Sequence, residues 1–424
     1  MDLQKLVPII SDLRDEKDAV KIKTLQSREE ESQIDLDSKL AQVVIGVRRS
    51  GKSTMCLKSL RENNKNFAYI NFDDERLEGA QTEDLNNILE ALYVVYGQFD
   101  YLFLDEVQNV KGWPLFVNRL LRQGLHIIIT GSNAKLLSNE LMTHLTGRHN
   151  EIDLFPFSFS EYVEYLGLDT HSQSTRATAL LNGALVDYLN QGGFPELIHE
   201  KNKRNYISAL TDSIIGRDIA KRFKIRNVPA LKNVANYLMD NFSQEFVAKA
   251  VGAKFGISDH TAERYYGFLK EAFLLQGIKK FSYKSCERNR CEKVYVVDLA
   301  FVSDRGNTFS PENLGWRLEN AVFLELMRRA KASWENIFYY RDKSFEVDFL
   351  RCSAHSVEEL VQVCYDISNE KTLKREINGL IKGSRKFNCK KLTLITLNKK
   401  GTKTAEGLNI EIIPATEWLL QRGR

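Results

Sequence analysis

Residues 46–54 read GVRRSGKST and match the pattern G-x-x-x-x-G-K-[ST]. Few short patterns constrain a fold so strongly, because the two glycines let the backbone curl until successive N–H groups face a phosphate. The lysine then places its charge at the β/γ oxygens, and the next hydroxyl coordinates Mg²⁺. The β-branched run at 43–45 is typical of a buried strand, and residues 54–60 are typical of a helix whose N-terminus faces the anion. The pattern therefore predicts an α/β fold that binds a nucleotide.

The second part of such a site is a hydrophobic strand that ends in acidic residues, and residues 101–106 read YLFLDE. Asp105 at the end of this strand is predicted to hold Mg²⁺ together with the hydroxyl of Ser53. Glu106 is predicted to orient and deprotonate the attacking water, and Lys52 to act beside it on the phosphates. The complete set of predicted ATP ligands is Gly46, Val47, Arg48, Arg49, Ser50, Gly51, Lys52, Ser53, Thr54 and Asp105.

Further polar residues are predicted to act on the γ-phosphate. Ser132 and Asn133 follow the next apolar strand and are placed to sense this phosphate. Arg148 lies in the later stretch LTGR and is predicted to reach a γ-phosphate, either in its own subunit or in a neighbouring one. The second alternative requires a homo-oligomer. For Arg48 and Arg49, contact with the nucleotide or a neighbouring subunit and plain solvation both remain open.

Composition narrows the classes of protein to which the chain can belong. The chain has 424 residues, of which 43% are apolar and 27% charged, as in ordinary globular proteins. No apolar run approaches the roughly 18 residues of a membrane span, and the N-terminus lacks a secretory signal, so a cytoplasmic protein without a membrane partner is expected. The six cysteines are scattered and are expected to be reduced thiols. The net charge of +4 does not indicate nucleic-acid binding, which would need a local basic patch.

Predicted strands alternate with predicted helices at 54–63, 83–96 and 114–123, which favours a parallel sheet. Eight stretches are distinctive in combination: GVRRSGKST, NFDDERL, YLFLDEVQNVKGW, TGSNAKLLS, LTGRHNEIDLFPFSFSEY, GGFPE, LENAVFLEL and EVDF. In these stretches the sequence resembles the AAA-type ATPases of archaea and bacteria that carry an appended C-terminal domain. The resemblance implies an AAA+ fold with ATP and Mg²⁺ as cofactors, an ATPase core in residues 1–160 and a helical lid in residues 161–235.

Residues 236–310 are predicted to form a winged helix, since 246–270 resemble a helix-turn-helix. Between 246 and 296 there are ten Lys or Arg against five Asp or Glu. The segment is therefore a candidate for DNA binding, and packing or protein contact is the alternative use of such a fold. The predicted DNA contacts are His260, Arg264, Arg288 and Arg290.

Residues 311–424 begin with a predicted helix at 313–330, followed by predicted strands that include 336–341 and 344–350. This order resembles the restriction-endonuclease-like fold with its D…(E/Q)xK signature. The resemblance implies a second metal site made of Asp348, Gln362 and a carboxylate of the preceding helix, Glu319 or alternatively Glu325. The position of the signature lysine holds Cys364, so Lys371 or Lys374 from the next helix would have to substitute.

The sequence as a whole predicts an ATPase that acts on DNA and whose nucleotide state controls the winged-helix and nuclease-like domains. Two alternatives remain open at this point. In one, the chain is a signalling-type ATP switch that binds protein partners and carries an inactive nuclease fold. In the other, it is an active ATP-dependent endonuclease.

Overall fold

The computed structural model describes residues 1–132, 145, 147–172, 174–283, 291–303, 305, 311–333, 335–353 and 356–421. The chain divides into two compact units. The first unit comprises residues 1–156 and 271–273, and the second comprises residues 157–270 and 274–424. Within the part of the chain that is described, no helix has the length and apolar character needed to cross a membrane.

The first unit is built on a five-stranded parallel sheet with the order β2-β3-β4-β1-β5. Strands β1 and β3 are buried along their whole length, because helices cover both faces of a parallel sheet. This confirms the parallel α/β prediction. The strands are β1 Ala41–Ile45, β2 Phe67–Asn71, β3 Tyr101–Asp105, β4 His126–Gly131 and β5 His149–Asp153.

Three helices of the first unit lie within one or two residues of the predicted ranges, namely α2 Lys52–Glu62, α3 Asp84–Tyr96 and α4 Trp113–Arg122. A further helix that was not predicted, α1 Leu3–Asp18, precedes them. Short 3₁₀ turns connect them at Ile22–Thr24, Glu29–Gln33, Glu75–Leu77 and Val107–Asn109. Since all five strands run in the same direction, the loops after β1, β3 and β4 lie together at the carboxyl ends of the strands.

The second unit begins with helices. These are α5 Phe159–Tyr165, α6 Thr175–Gln191, α7 Lys203–Ser213, the π-helix Ile214–Lys221 and α8 Val228–Asp240. A buried carboxylate, Asp298, fixes the chain after α6, because it accepts hydrogen bonds from the backbone N–H groups of Gly193 (2.9 Å) and Ala300 (2.8 Å). Burial raises the pKa of Asp298 to about 7.

Next in the second unit come two helices and a small antiparallel sheet of order β6-β8-β7. Strand β6 precedes the helices and the other two strands follow them. The elements are β6 Gln244–Glu245, α9 Ala248–Phe255, α10 Asp259–Glu271, β7 Leu275–Lys279 and β8 Glu292–Val296.

The C-terminal part of the second unit contains a six-stranded mixed sheet of order β13-β14-β12-β11-β10-β9. Helix α12 packs its buried side on β10, β11 and β12. The elements are α11 Pro311–Ser333, β9 Asn336–Arg341, β10 Glu346–Cys352, β11 Val357–Cys364, α12 Glu370–Phe387, β12 Leu392–Thr396, β13 Gly401–Ala405, β14 Leu408–Pro414 and α13 Ala415–Leu420.

Candidate nucleotide-binding site

The loop between β1 and α2 has the tight conformation that its sequence predicts. At Gly46 the backbone passes so close to Leu154 that a Cβ would lie 2.1 Å from the Leu154 carbonyl oxygen. Gly51 has φ +96°, a left-handed conformation that favours glycine, and α2 begins at the next residue. The helix N-terminus therefore opens onto the loop, which is the arrangement that binds an anion.

Lys52 lies inside this loop. Its Nζ donates to the carbonyl oxygens of Gly46 (3.1 Å) and Val47 (3.0 Å) and lies 3.7 Å from Glu106 Oε1. The side chain is almost completely buried. The ammonium group thus lies in the loop, next to the acidic residue that follows β3.

Asp105 at the end of β3 is fully enclosed by polar side chains. Its Oδ1 accepts from Ser53 Oγ (2.8 Å) and from the Thr130 hydroxyl, and its Oδ2 accepts from the Tyr69 hydroxyl at 2.9 Å. Burial, and to a lesser degree the charge of Glu106, raises the pKa of this carboxyl group. A hydroxyl and a carboxylate side by side are oxygen donors of the kind that Mg²⁺ prefers, and a divalent charge would offset the cost of ionising Asp105 there. These residues therefore fit the ion.

Glu106 is held in one position by its neighbours. Its backbone has φ +50°, and its N–H donates to Thr130 Oγ1 at 3.1 Å. Its Oε2 accepts hydrogen bonds from Ser132 Oγ (3.0 Å) and from the side-chain amide of Gln108. The other amide atom, Gln108 Oε1, is buried and has no hydrogen-bond partner among the described residues. Two carboxylate-orienting groups, Gln108 and Thr130, were missed from the sequence, while Asn133 lies outside the described residues.

The two loop arginines differ. Arg48 is not a solvated cation, because its side chain is only 16% exposed and its guanidinium lies 3.2 Å from Asp73 Oδ2. Arg49 has φ +66°, so the backbone turns sharply at this position. Contact of either side chain with a nucleotide stays a prediction.

Arg148 lies at the opposite end of the strands, where β1 begins. Its carbonyl oxygen accepts from the N–H of Ala41, the first residue of β1, and its guanidinium donates to Asn118 Oδ1 at 2.6 Å. The phosphate loop follows the last residue of β1, so the two are separated by the length of that strand, about 16 Å at ~3.3 Å per residue. The prediction that Arg148 reaches the phosphate of its own subunit is therefore wrong, while the prediction of a contact with a neighbouring subunit is untested.

Arg28 supports the loop from outside the motif, and nothing in the sequence pattern indicated it. Its guanidinium donates to the carbonyl oxygens of Ser50 (2.9 Å) and Phe155 (2.6 Å), and the residue is 6% exposed. It thus joins the phosphate loop to the segment after β5.

The three residues predicted to form a second metal site, Glu319, Asp348 and Gln362, lie close together in a cleft of about 800 Å³ in the second unit. However, Lys293 Nζ already occupies the space between the carboxylates, 2.8 Å from Glu319 Oε1 and 3.6 Å from Asp348 Oδ1. Among the described residues there is no group of three or more His, Cys, Asp or Glu side chains arranged to hold a metal ion. A lysine thus lies where the predicted ion would bind, and the metal site stays a prediction that no observation here tests.

The predicted substitutes for the missing lysine do not enter the cleft. Lys371 is exposed, and Lys374 is exposed and paired with Glu370 at 2.9 Å. The ammonium in the cleft comes instead from Lys293 on β8, which the sequence did not single out. Cys364, at the signature position, directs its thiol to the Asp366 carbonyl oxygen at 3.3 Å.

The predicted DNA contacts are only partly within the described residues. His260 and Arg264 are exposed on α10, beside the acidic residues Asp259 and Glu263, so this helix face carries mixed charge. Arg288 and Arg290 lie outside the described residues.

A more basic surface runs along α12, outside the segment that was predicted to bind DNA. From 370 to 403 there are eleven Lys or Arg against two Glu. Six of the basic residues lie in two groups on the exposed or half-exposed side of the helix, namely Lys371, Lys374 and Arg375 in the first half and Lys382, Arg385 and Lys386 in the second. We call these six residues the α12 basic stripe.

Comparison with known proteins shows which family the chain belongs to. Residues 38–163 match the model of the AAA domain, and residues 182–308 match a domain of unknown function. An uncharacterized protein of Methanocaldococcus jannaschii is 35% identical over 397 residues, which cover 89% of this chain and 88% of that protein. An uncharacterized protein of Haemophilus influenzae is 30% identical over 407 residues, covering 91% and 95% of the two chains.

Similar solved structures include a Walker-type ATPase of Pyrococcus abyssi, with 16% identity, a TM-score of 0.45 and coverage of 66% of this chain and 95% of that one. The RuvB Holliday junction branch migration motor of Thermotoga maritima follows with 16% identity, a TM-score of 0.32 and coverage of 60% and 93%. Likeness at this level carries no information about function. The chain belongs to the family of its archaeal and bacterial relatives, and its residues 38–163 match the AAA domain.

Proposed function

We propose that the chain hydrolyses ATP in a Mg²⁺-dependent reaction at the carboxyl ends of the parallel strands. The observation that carries this proposal is the convergence of Lys52, the Ser53–Asp105 pair and Glu106 at the loop between β1 and α2. Mg²⁺ held by Ser53 and Asp105 would neutralise charge on the phosphate oxygens. Each of these residues is placed by a rigid element, α2 or β3, as efficient catalysis requires.

In this mechanism Lys52 exchanges its carbonyl contacts for phosphate oxygens and offsets their charge. The Glu106 carboxylate accepts the proton of the attacking water, and its two donors, Ser132 and Gln108, hold it in orientation. The unpaired Gln108 Oε1 is an additional acceptor beside this carboxylate, suited to a water hydrogen.

ATP hydrolysis by Lys52→Ala, Glu106→Gln and wild-type protein tests the proposal. We expect wild type to turn over ATP only with Mg²⁺. Glu106→Gln should bind ATP but lose at least about 100-fold in kcat, as for loss of a general base. Lys52→Ala should lose affinity as well as turnover. Lys65→Ala is the matched control, because Lys65 is a half-buried lysine of the same unit that pairs with Asp37 at 3.0 Å, outside the phosphate loop. Full turnover in Glu106→Gln would refute the assignment.

We also propose that this ATPase acts on DNA and that the nucleotide state controls the second unit. The succession α8, β6, α9, α10, β7, β8 has the order of a winged helix, which supports a DNA-binding role. His260 and Arg264 are exposed on the second of its helices, and the α12 basic stripe offers further contacts for backbone phosphates.

DNA binding measured at several salt concentrations separates these surfaces. If the stripe contacts phosphates, Lys371→Glu with Lys382→Glu should weaken binding and flatten its salt dependence. His260→Ala with Arg264→Ala should weaken binding through the winged helix. DNA that neither binds at low salt nor stimulates ATP turnover would favour the alternative of an ATP switch that binds protein partners.

Finally, we propose that the ATPase works as a homo-oligomer in which Arg148 reaches the γ-phosphate of a neighbouring subunit. The exposed position of Arg148 at the edge opposite its own phosphate loop supports this. Arg148→Ala and Glu106→Gln should each be inactive alone, and mixing them should restore part of the activity. Full activity of Arg148→Ala by itself would refute the contact.

A further inference from the structure

The C-terminal cleft contains a buried lysine that no motif accounts for. Lys293 lies on β8, in the small antiparallel sheet, whereas the carboxylates around it lie on α11 and β10. Its Nζ is 2.8 Å from Glu319 Oε1, 3.3 Å from Glu346 Oε1 and 3.6 Å from Asp348 Oδ1. Its side chain is only 6% exposed, so the lysine cannot swing freely into solvent.

Neighbouring residues fix this arrangement. Tyr295, two positions along β8 and therefore on the same face, donates its hydroxyl to Glu319 Oε1 at 2.7 Å. Asp348 Oδ2 accepts from the N–H of Val363 on the adjacent strand at 2.9 Å. The carboxylates are thus oriented toward the lysine by contacts that do not involve the lysine itself.

Gln362, the amide of the predicted metal site, is also engaged elsewhere. Its Oε1 accepts from the N–H of Asp348 at 3.2 Å, and its Nε2 donates to Glu376 Oε2 at 2.6 Å. The amide nitrogen is not a cation ligand, and a cation between Glu319 and Asp348 would have to share Oε1 with the N–H of Asp348. A divalent ion would therefore meet two carboxylates already bound to an ammonium group, and that ammonium would repel it.

We propose that Lys293 is the built-in cation of this cleft. Its ammonium group holds the place between Glu319, Glu346 and Asp348 that a divalent metal would need, so the cleft takes no metal and does not act as a metal-dependent nuclease. The chain uses a side chain where the nuclease-like signature implies an ion. This inference goes beyond the proposed ATPase, because it concerns a different set of residues and does not depend on nucleotide.

The inference predicts a metal site in the variant Lys293→Met, where a flexible apolar side chain replaces the ammonium. Mn²⁺ binding to the full chain, without nucleotide, would be counted by electron paramagnetic resonance. We expect Lys293→Met to bind one more Mn²⁺ per chain than wild type, and Lys293→Met with Asp348→Asn to lose that ion. Lys343→Met is the matched control, since Lys343 lines the same cleft but makes no contact with Glu319 or Asp348 in the described structure, and it should gain none.

A second comparison does not depend on the folding of any Lys293 variant. If the proposal holds, wild type and Asp348→Asn bind equal numbers of Mn²⁺ ions, and neither cleaves supercoiled DNA with Mg²⁺ or Mn²⁺. Loss of one Mn²⁺ on passing from wild type to Asp348→Asn would overturn the proposal. So would a folded Lys293→Met protein, judged by circular dichroism, that gains no ion. A failure of ATP hydrolysis would leave these results unaffected.

Discussion

Replacing Arg28 should loosen the phosphate loop although Arg28 lies outside the motif. The guanidinium makes two buried hydrogen bonds, to the carbonyl oxygens of Ser50 and Phe155. A hydrogen bond to a charged group contributes about 1.5–3 kcal/mol, and Arg28→Met leaves both carbonyl groups buried without this donor. We therefore expect Arg28→Met to cost about 3–5 kcal/mol of local stability. Arg28→Lys retains the charge but can reach only one carbonyl well, so about half of that loss is expected.

The measurement is amide hydrogen exchange of residues 46–54, which reports local opening rather than unfolding of the whole chain. A loss of about 3 kcal/mol corresponds to roughly 100-fold faster exchange. The matched control is Arg76→Met in the same unit, since Arg76 pairs with Asp12 (2.6 Å) and Asp74 (2.8 Å) but is 39% exposed. Such exposed pairs contribute about 0–1 kcal/mol. Equal exchange rates in Arg28→Met and Arg76→Met would refute the reasoning.

Two further predictions concern single residues. Gln108→Leu removes a donor to the Glu106 carboxylate and should lower kcat about 10-fold with little change in KM; steady-state ATPase kinetics measure this, and an unchanged kcat would argue against the role. Asp298 has a pKa of about 7 in the folded protein against 3.8 in the unfolded chain, so the folded state holds its proton to higher pH. Its contribution to stability is then complete below pH 4 and disappears as the pH rises through 7, a loss of at most about 2.5 kcal/mol between pH 5 and 8. Denaturant unfolding at both pH values should show this loss in wild type and not in Asp298→Asn, and equal pH dependence in both would contradict it.

The nucleotide site was predictable because its parts are local in sequence. Gly46 to Thr54 form one continuous loop, and Asp105 and Glu106 are adjacent at the end of one apolar strand. A parallel sheet then brings the ends of β1 and β3 to the same edge, so two short patterns are enough to define the site. The relative positions of the phosphate loop and the two acidic residues could therefore be predicted, because secondary structure and strand direction determine them.

The supporting residues were not predictable, because long-range contacts define them. Arg28 and Phe155 are separated by 127 positions, and Thr130 meets Asp105 from another strand. For Arg148 the prediction failed in the other direction. The residue follows β4 of the nucleotide site in sequence, but it lies at the opposite end of the strands, next to the start of β1. For Arg148 the outcome depends on which end of a strand the residue lies near, and spacing along the chain does not give this.

Cys364 and Lys293 show why a departure from a motif cannot be interpreted at its own position. A thiol where the nuclease-like signature has lysine suggested a site that lacks a positive charge. The structure supplies that charge from β8, but in contact with Glu319 and Asp348 themselves. An ammonium beside the water of a nuclease would assist the metal, whereas an ammonium between the carboxylates competes with it. The same residue type therefore favours opposite functions depending on where its ammonium group lies, and for this cleft the metal count of wild type and Asp348→Asn decides between them.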